Sequence, residues 1–199
     1  PYRPQDQGFD EVFIHGGGGV GQTPDYWGNT QFDDTYYRNG EPEKTQGYAT
    51  KVWFDAAINH MNKTRTKPLF TFIPLNAPHG PYRAPEPYIA PYLAKGLDRT
   101  VASFYGMITY IDEQVGRMRT HIANSGKTDN TIFIYMTDNG SSYRPTYDNL
   151  KPNDKSYKGT SALIKNTPSW VPNANMRGYK GSVYEGGLRV PFFISYPNG

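Results

Sequence analysis

Thr131-Ile132-Phe133-Ile134-Tyr135-Met136-Thr137-Asp138-Asn139-Gly140 is the stretch from which the fold is read. Its first six residues are strand formers without polar alternation, as expected for a strand buried on both faces. The run then breaks into a polar turn closed by glycine. Upstream, Val101, Phe104, Tyr105, Ile108, Ile111, Val115, Met118 and Ile122 hold a continuous apolar stripe, which predicts a long helix stopped by Gly126. Further upstream, Leu69-Phe70-Thr71-Phe72-Ile73 predicts a short strand that stops at Pro74 and delivers the loop Asn76-Ala77-Pro78-His79-Gly80-Pro81. Before it, Phe54, Ala57, Ile58 and Met61 fall at i, i+3, i+4 and i+7, one helical face. That helix is expected to end near Lys63 to Lys67, ahead of Pro68. Downstream, Pro191 to Tyr196 predicts a last strand. Helix, strand, helix, strand implies an α/β layered domain with a mostly parallel sheet flanked by helices, whose sites lie just beyond the carboxyl ends of strands. Both polar loops hold that place.

Two regions lack a period. Pro1 to Gly47, with a four-glycine run at Gly16 to Gly19, reads as ordered irregular structure. Ser141 to Tyr179 is rich in Lys, Asn, Pro and Tyr, and connections of that length tend to be lids or binding loops.

Composition narrows the function. The 199 residues carry a net charge of +3 with both signs interleaved, which argues against an electrostatic nucleic-acid binder. Although only 36% of residues are hydrophobic, aromatic residues make up 15% and supply the apolar area for a core. Twenty-one glycines and 17 prolines point to many turns. No apolar run approaches the roughly 18 residues of a membrane span. Cysteine is absent, so the chain offers no disulfide, no thiolate metal site and no cysteine nucleophile.

Three places can carry chemistry. At a strand end followed by Gly140, Asp138 and Asn139 can aim two oxygens at one point, suiting a hard cation such as calcium or magnesium; Asp-Asn-Gly is also good turn chemistry, and from these residues alone the turn is the favoured reading. His79, between Pro78 and Gly80-Pro81, is either a histidine held for acid work near neutral pH or a loop residue capping a strand. Lys180, in Gly178-Tyr179-Lys180-Gly181, can approach an anion closely or be simply solvated. Neither this segment nor the glycine run at 16 to 19 is a P-loop, which needs Lys followed directly by Ser or Thr. Asp33-Asp34 reads as a solvated loop, Asp112 and Glu113 as a polar helix face or helix contact. His60 and His121 read as helix-surface or partly packed residues, and His15 has no evident partner.

Taken in order, Gly8-Phe9-Asp10-Glu11, Asn76 to Pro81, Phe104 to Ile108 with Ile111-Asp112, Thr137 to Gly140, and Gly181-Ser182-Val183-Tyr184-Glu185-Gly186-Gly187-Leu188-Arg189-Val190-Pro191 resemble the sulfatases of the alkaline phosphatase-like superfamily. The resemblance runs over essentially the whole chain. It implies hydrolysis of a sulfate ester to an alcohol or phenol plus sulfate. It further implies Asp138 and Asn139 as ligands completing a calcium site, Lys180 as a contact to the sulfate, and His79 as the acid that protonates the departing ester oxygen. The charge logic agrees, since a cation, an ammonium and a proton donor then surround an anionic substrate.

The resemblance also implies a formylglycine nucleophile made from Cys or Ser in Cys/Ser-x-Pro-x-Arg. The 199 residues contain no Cys, and no serine stands in that motif. The amino-terminal acidic pair, the Gly-Lys-Trp-His segment and the smaller carboxyl-terminal subdomain are missing too. Residues 1 to 199 are therefore expected to be an internal part of a sulfatase catalytic domain, inactive alone, with the formylglycine upstream. Alternatives are a phosphodiesterase or phosphonate monoester hydrolase of the superfamily, or a non-catalytic anion-binding relative. The substrate is expected to be a sulfate ester, and a sulfated carbohydrate is compatible with contacts from Tyr143 to Tyr179, including Lys151, Lys155 and Lys158. The family association favours a periplasmic or secreted parent.

Overall fold

A computed structural model describes residues 3–22, 26–63, 66–142, 173–174 and 176–197. Most of the predicted binding segment, Lys151, Lys155 and Lys158 included, lies outside the described residues. The chain divides into two compact units, Pro1–Pro85 with Met107–Met118, and Glu86–Gly106 with Arg119–Gly199.

The first unit contains an antiparallel meander of β1 (Phe13–Ile14), β2 (Thr35–Arg38) and β3 (Glu41–Lys44), in register Phe13 with Arg38 and Thr35 with Lys44. This region was expected to be irregular. Its signal is the dipeptide Asn39-Gly40, which joins β2 to β3 with φ of 53° and 96°, the left-handed pair of a tight hairpin turn. The Asn39 side chain also accepts from the Val12 amide at 2.8 Å.

The helix α1 (Ala49–Met61) buries Val52, Phe54 and Ala57. It ends slightly before the expected boundary. Ala49 and Val52 close a core with Val20 and Tyr36, against which Phe13 and Trp53 pack. The rings of Tyr36 and Trp53 lie 4.2 Å apart. The Met107–Met118 part of the long helix also belongs to this unit, with Met107, Tyr110, Ile111 and Met118 buried. Arg117 pairs with Asp55 at 2.5 Å, and the expected polar face is exposed at Asp112 and Glu113.

Leu69 to Ile73 is not a strand: no described residue pairs with it, and Phe70 and Phe72 are 75% and 65% exposed. Strand-forming side chains favour a pleat only where a neighbouring strand completes it.

In the second unit, α2 (Glu86–Leu93) buries Ile89, and Glu86 takes both guanidinium nitrogens of Arg99 at 3.2 and 2.6 Å. The helix α3 spans Arg99–Asn124 and opens on Asp98, whose carboxylate accepts from the Thr100 amide at 2.7 Å, an N-cap. It stops where predicted. Gly126 adopts φ 66° and its amide donates to Ala123 O, a left-handed helix end. β4 (Phe133–Met136) pairs antiparallel with β5 (Phe192–Ser195), Phe133 opposite Ser195 and Met136 opposite Phe192.

Here the structure corrects two expectations. The described strand pairs are antiparallel throughout, where a mostly parallel sheet was expected. β4 also alternates half-buried with exposed residues, where burial on both faces was expected, and its partner β5 is exposed along its length. Among the described residues β4 and β5 pair only with each other, and a two-stranded ribbon by itself offers little burial. No helix among the described residues is long and apolar enough to cross a membrane.

Candidate active site

The predicted site residues fall in both units. His79 belongs to the first; Asp138, Asn139 and Lys180 belong to the second.

In the second unit, β4 gives out at Met136 and the chain turns through Asp138-Asn139-Gly140. Three backbone bonds lace this turn to the segment that carries Lys180. The Thr137 amide donates to Pro191 O at 3.4 Å, the Gly140 amide to Gly187 O at 3.0 Å, and the Lys180 amide to Ser141 O at 3.0 Å. The glycines make this possible. A Cβ on Gly140 would fall on the Gly186 carbonyl oxygen, one on Gly186 would meet Gly178 O, and one on Gly187 would meet Ser182 O. Three pieces of main chain thus pack without side chains between them. Buried Asn173 props the same junction, its amide donating to Met176 O at 2.6 Å and Gly178 O at 2.8 Å. The short helix α4 (Glu185–Leu188) follows directly. The structure therefore joins the Asp138-Asn139 turn and the Lys180 loop as one body, with Asp138 exposed and Asn139 and Lys180 half-buried.

As donors, the Asp138 carboxylate and the Asn139 amide oxygen are the hard oxygens calcium takes. They are few, since calcium uses about 6–8 oxygen ligands, and no group of three or more His, Cys, Asp or Glu able to hold a metal occurs among the described residues. The chemistry of the pair fits calcium as part of a set and not as the whole of one.

His79 is half-buried on a loop whose amide at 79 donates to Asn76 O at 2.9 Å. Its Nδ1 lies 2.9 Å from Gly80 O. A carbonyl only accepts, so Nδ1 carries the proton and Nε2 is the nitrogen left to exchange one. Three ties hold the loop. Gln31 Nε2 donates to Pro81 O at 2.9 Å, the Tyr48 hydroxyl to Arg83 O at 2.7 Å, and Arg83 Nη1 to Thr30 O at 3.0 Å. Burial pushes the Tyr48 phenol up to about 12, so it stays a donor throughout the neutral range.

Sequence reasoning missed these supports. Asp34, expected in a solvated loop, is buried. Its carboxylate accepts from the Thr30 and Gln31 amides, both at 2.8 Å, and from the Tyr36 hydroxyl at 2.7 Å. Burial is tolerated because these three donors satisfy both carboxylate oxygens. Asp33 remains exposed and accepts from the Gly47 amide at 2.7 Å. His60 is partly packed as expected, with Nδ1 2.7 Å from Glu11. His15 has a partner after all: its Nδ1 lies 3.4 Å from Gly18 O and its ring meets Tyr36 edge-on.

Comparison with known proteins identifies the family. The sulfatase family profile matches residues 2–199, and the chain belongs to the sulfatase family. It is 25% identical over 197 residues to the uncharacterized sulfatase YdeN of Escherichia coli, covering 97% of this chain and 29% of that protein. It is 24% identical over 264 residues to an arylsulfatase of Klebsiella aerogenes, covering 98% of this chain and 56% of that one. The chain thus spans about half or less of these relatives. Among solved structures, Ps i-CgsB in complex with k-i-k-neocarrahexaose superposes with a TM-score of 0.74 at 24% identity, over 99% of this chain and 42% of that one. BT4656, solved with its substrate D-glucosamine-2-N,6-O-disulfate, gives 0.66 at 16% identity, over 97% and 50%. The fold is the α/β fold of these enzymes, alkaline phosphatase-like.

Proposed function

We propose that this chain is part of a sulfuric ester hydrolase that cleaves a sulfate ester to an alcohol or phenol plus sulfate. The observation that carries the reading is the glycine-packed junction tying the Asp138-Asn139 turn to the Lys180 loop, in a chain of the sulfatase family. In this reading the Lys180 ammonium binds the sulfate. His79, with Nδ1 committed to Gly80 O, delivers a proton from Nε2 to the departing ester oxygen. Asp138 and Asn139 would hold calcium, which when bound supplies positive charge beside a sulfate oxygen. The nucleophile is a formylglycine outside these 199 residues, since they hold no Cys and no Ser-x-Pro-x-Arg. The isolated chain is accordingly inactive, and its two calcium ligands alone bind the ion poorly.

A sulfated carbohydrate is the proposed substrate class. Ps i-CgsB and BT4656 were solved with carbohydrate ligands, the latter sulfated. A periplasmic or secreted location follows from the family association alone.

Assay of the full-length protein against matched sulfate and phosphate esters tests the reaction. Faster turnover of the sulfate ester supports the proposal. Preference for a phosphate diester or phosphonate ester replaces it with the related hydrolase reading, and no turnover of either points to an anion-binding relative. Turnover of an aryl sulfate by residues 1–199 alone would refute the upstream nucleophile, and tight stoichiometric calcium binding in calorimetry would refute the partial ligand set.

A further inference from the structure

We infer that Gln31 is a positioning residue for the His79 acid; this rests on the role given to His79 above. Gln31 is 3% exposed and sits at φ 83°, a left-handed conformation that glycine adopts freely and a long side chain rarely does. Both of its backbone polar groups are engaged. Its amide N–H donates to Asp34 Oδ2 at 2.8 Å, its carbonyl accepts from the Ala49 amide at 2.8 Å, and its side-chain oxygen lies 3.5 Å from the Tyr48 hydroxyl. The side-chain nitrogen makes the reach that matters, 2.9 Å to Pro81 O across 50 residues of sequence.

Glycine would satisfy this backbone, so the feature that calls for glutamine is its amide. Pro81 has its φ locked by its ring, and its nitrogen is bonded to the Gly80 carbonyl carbon. Fixing Pro81 O therefore restrains the Gly80 carbonyl, and that carbonyl is the acceptor holding His79 Nδ1. The relay runs from the Gln31 amide through Pro81 and Gly80 to the tautomer and aim of the imidazole. A small misplacement of an acid costs catalysis steeply.

The test uses the full-length enzyme and two probes, 4-nitrophenyl sulfate, whose phenolate leaves without help, and a simple alkyl sulfate, whose alkoxide must be protonated. Gln31→Met keeps volume and deletes the amide; Gln31→Gly deletes the amide and relaxes the backbone, so it reports even where the Met variant fails to fold. The expected result is a fall in kcat of about ten-fold or more on the alkyl sulfate, within the span of general acid catalysis, with KM unchanged and 4-nitrophenyl sulfate turnover nearly unchanged. Equal loss on both esters, or no loss on either, overturns the assignment. His79→Ala run in parallel separates the two claims. A leaving-group-selective loss there beside an unselective Gln31 variant rejects Gln31 alone, whereas an unselective His79→Ala rejects the acid role and the positioning role with it.

Discussion

The backbone amide of Lys180 donates to the carbonyl oxygen of Ser141 at 3.0 Å, so the lysine is placed through its own peptide group, whatever side chain it carries. Substitution can therefore remove the ammonium and leave the scaffold.

Lys180→Ala in the full-length enzyme should raise KM for a sulfate ester about ten-fold or more, the worth of a lost charge-assisted hydrogen bond of about 1.5–3 kcal/mol. Stability should change by no more than about 0.5 kcal/mol. Steady-state kinetics beside a thermal melt checks both, and a large drop in melting temperature would show that the side chain is structural.

Gly140→Ala should act oppositely. Its Cβ has no room beside Gly186 O, and the backbone must shift at a cost of about 1–3 kcal/mol. Chemical denaturation should show that loss, with activity falling as the two loops part.

Glu11 gives a pH signature. It receives Lys63, His60 at 2.7 Å and Arg38 at 3.4 Å. The Lys63 hydrogen bond above all, with His60 assisting, holds its carboxyl below the ordinary 4.5. A folded pKa below the unfolded one means stability that is whole above the unfolded value and lost as the pH falls through the folded value. Glu11→Gln should therefore destabilise near neutrality by about 1 kcal/mol or less, and the gap from wild type should close below about pH 4. Melts across the acid range read this directly.

Tyr48→Phe should cost about 1 kcal/mol, because Arg83 O loses its donor. In the unmodified chain the bond does not titrate near neutrality. With the phenol raised by burial from 10.0 to about 12, its contribution is whole below the unfolded value and lost as the pH rises through the folded one. Ultraviolet difference titration of the unmodified folded chain against Tyr48→Phe should show the missing phenol ionising above the ordinary 10.0.

What could be read in advance follows the range of the forces involved. The stripe from Val101 to Ile122 announced α3 because helical burial repeats locally, and Gly126 marked its end because a left-handed residue is a local need. Asp138, Asn139 and Lys180 stand in short motifs, but their junction is not legible there, because the need for Gly140, Gly178, Gly186 and Gly187 appears only when they are packed together. Leu69 to Ile73 misled because strand propensity says nothing of a partner. Asn39-Gly40 is a hairpin signal of equally short range. Gln31 and Asp34 had no such signal: the first acts on Pro81 far along the chain, and the second is held by a buried tyrosine and two amides.

The β4–β5 ribbon carries a practical consequence. Ile134 and Met136 on one strand and Phe192, Phe193 and Ile194 on the other are each more than half exposed. Two strands alone are marginal in water, and uncovered apolar strands with open edges pair with copies of themselves. Residues 1–199 produced alone should be a sticky species that self-associates with rising concentration, with this ribbon as the seed.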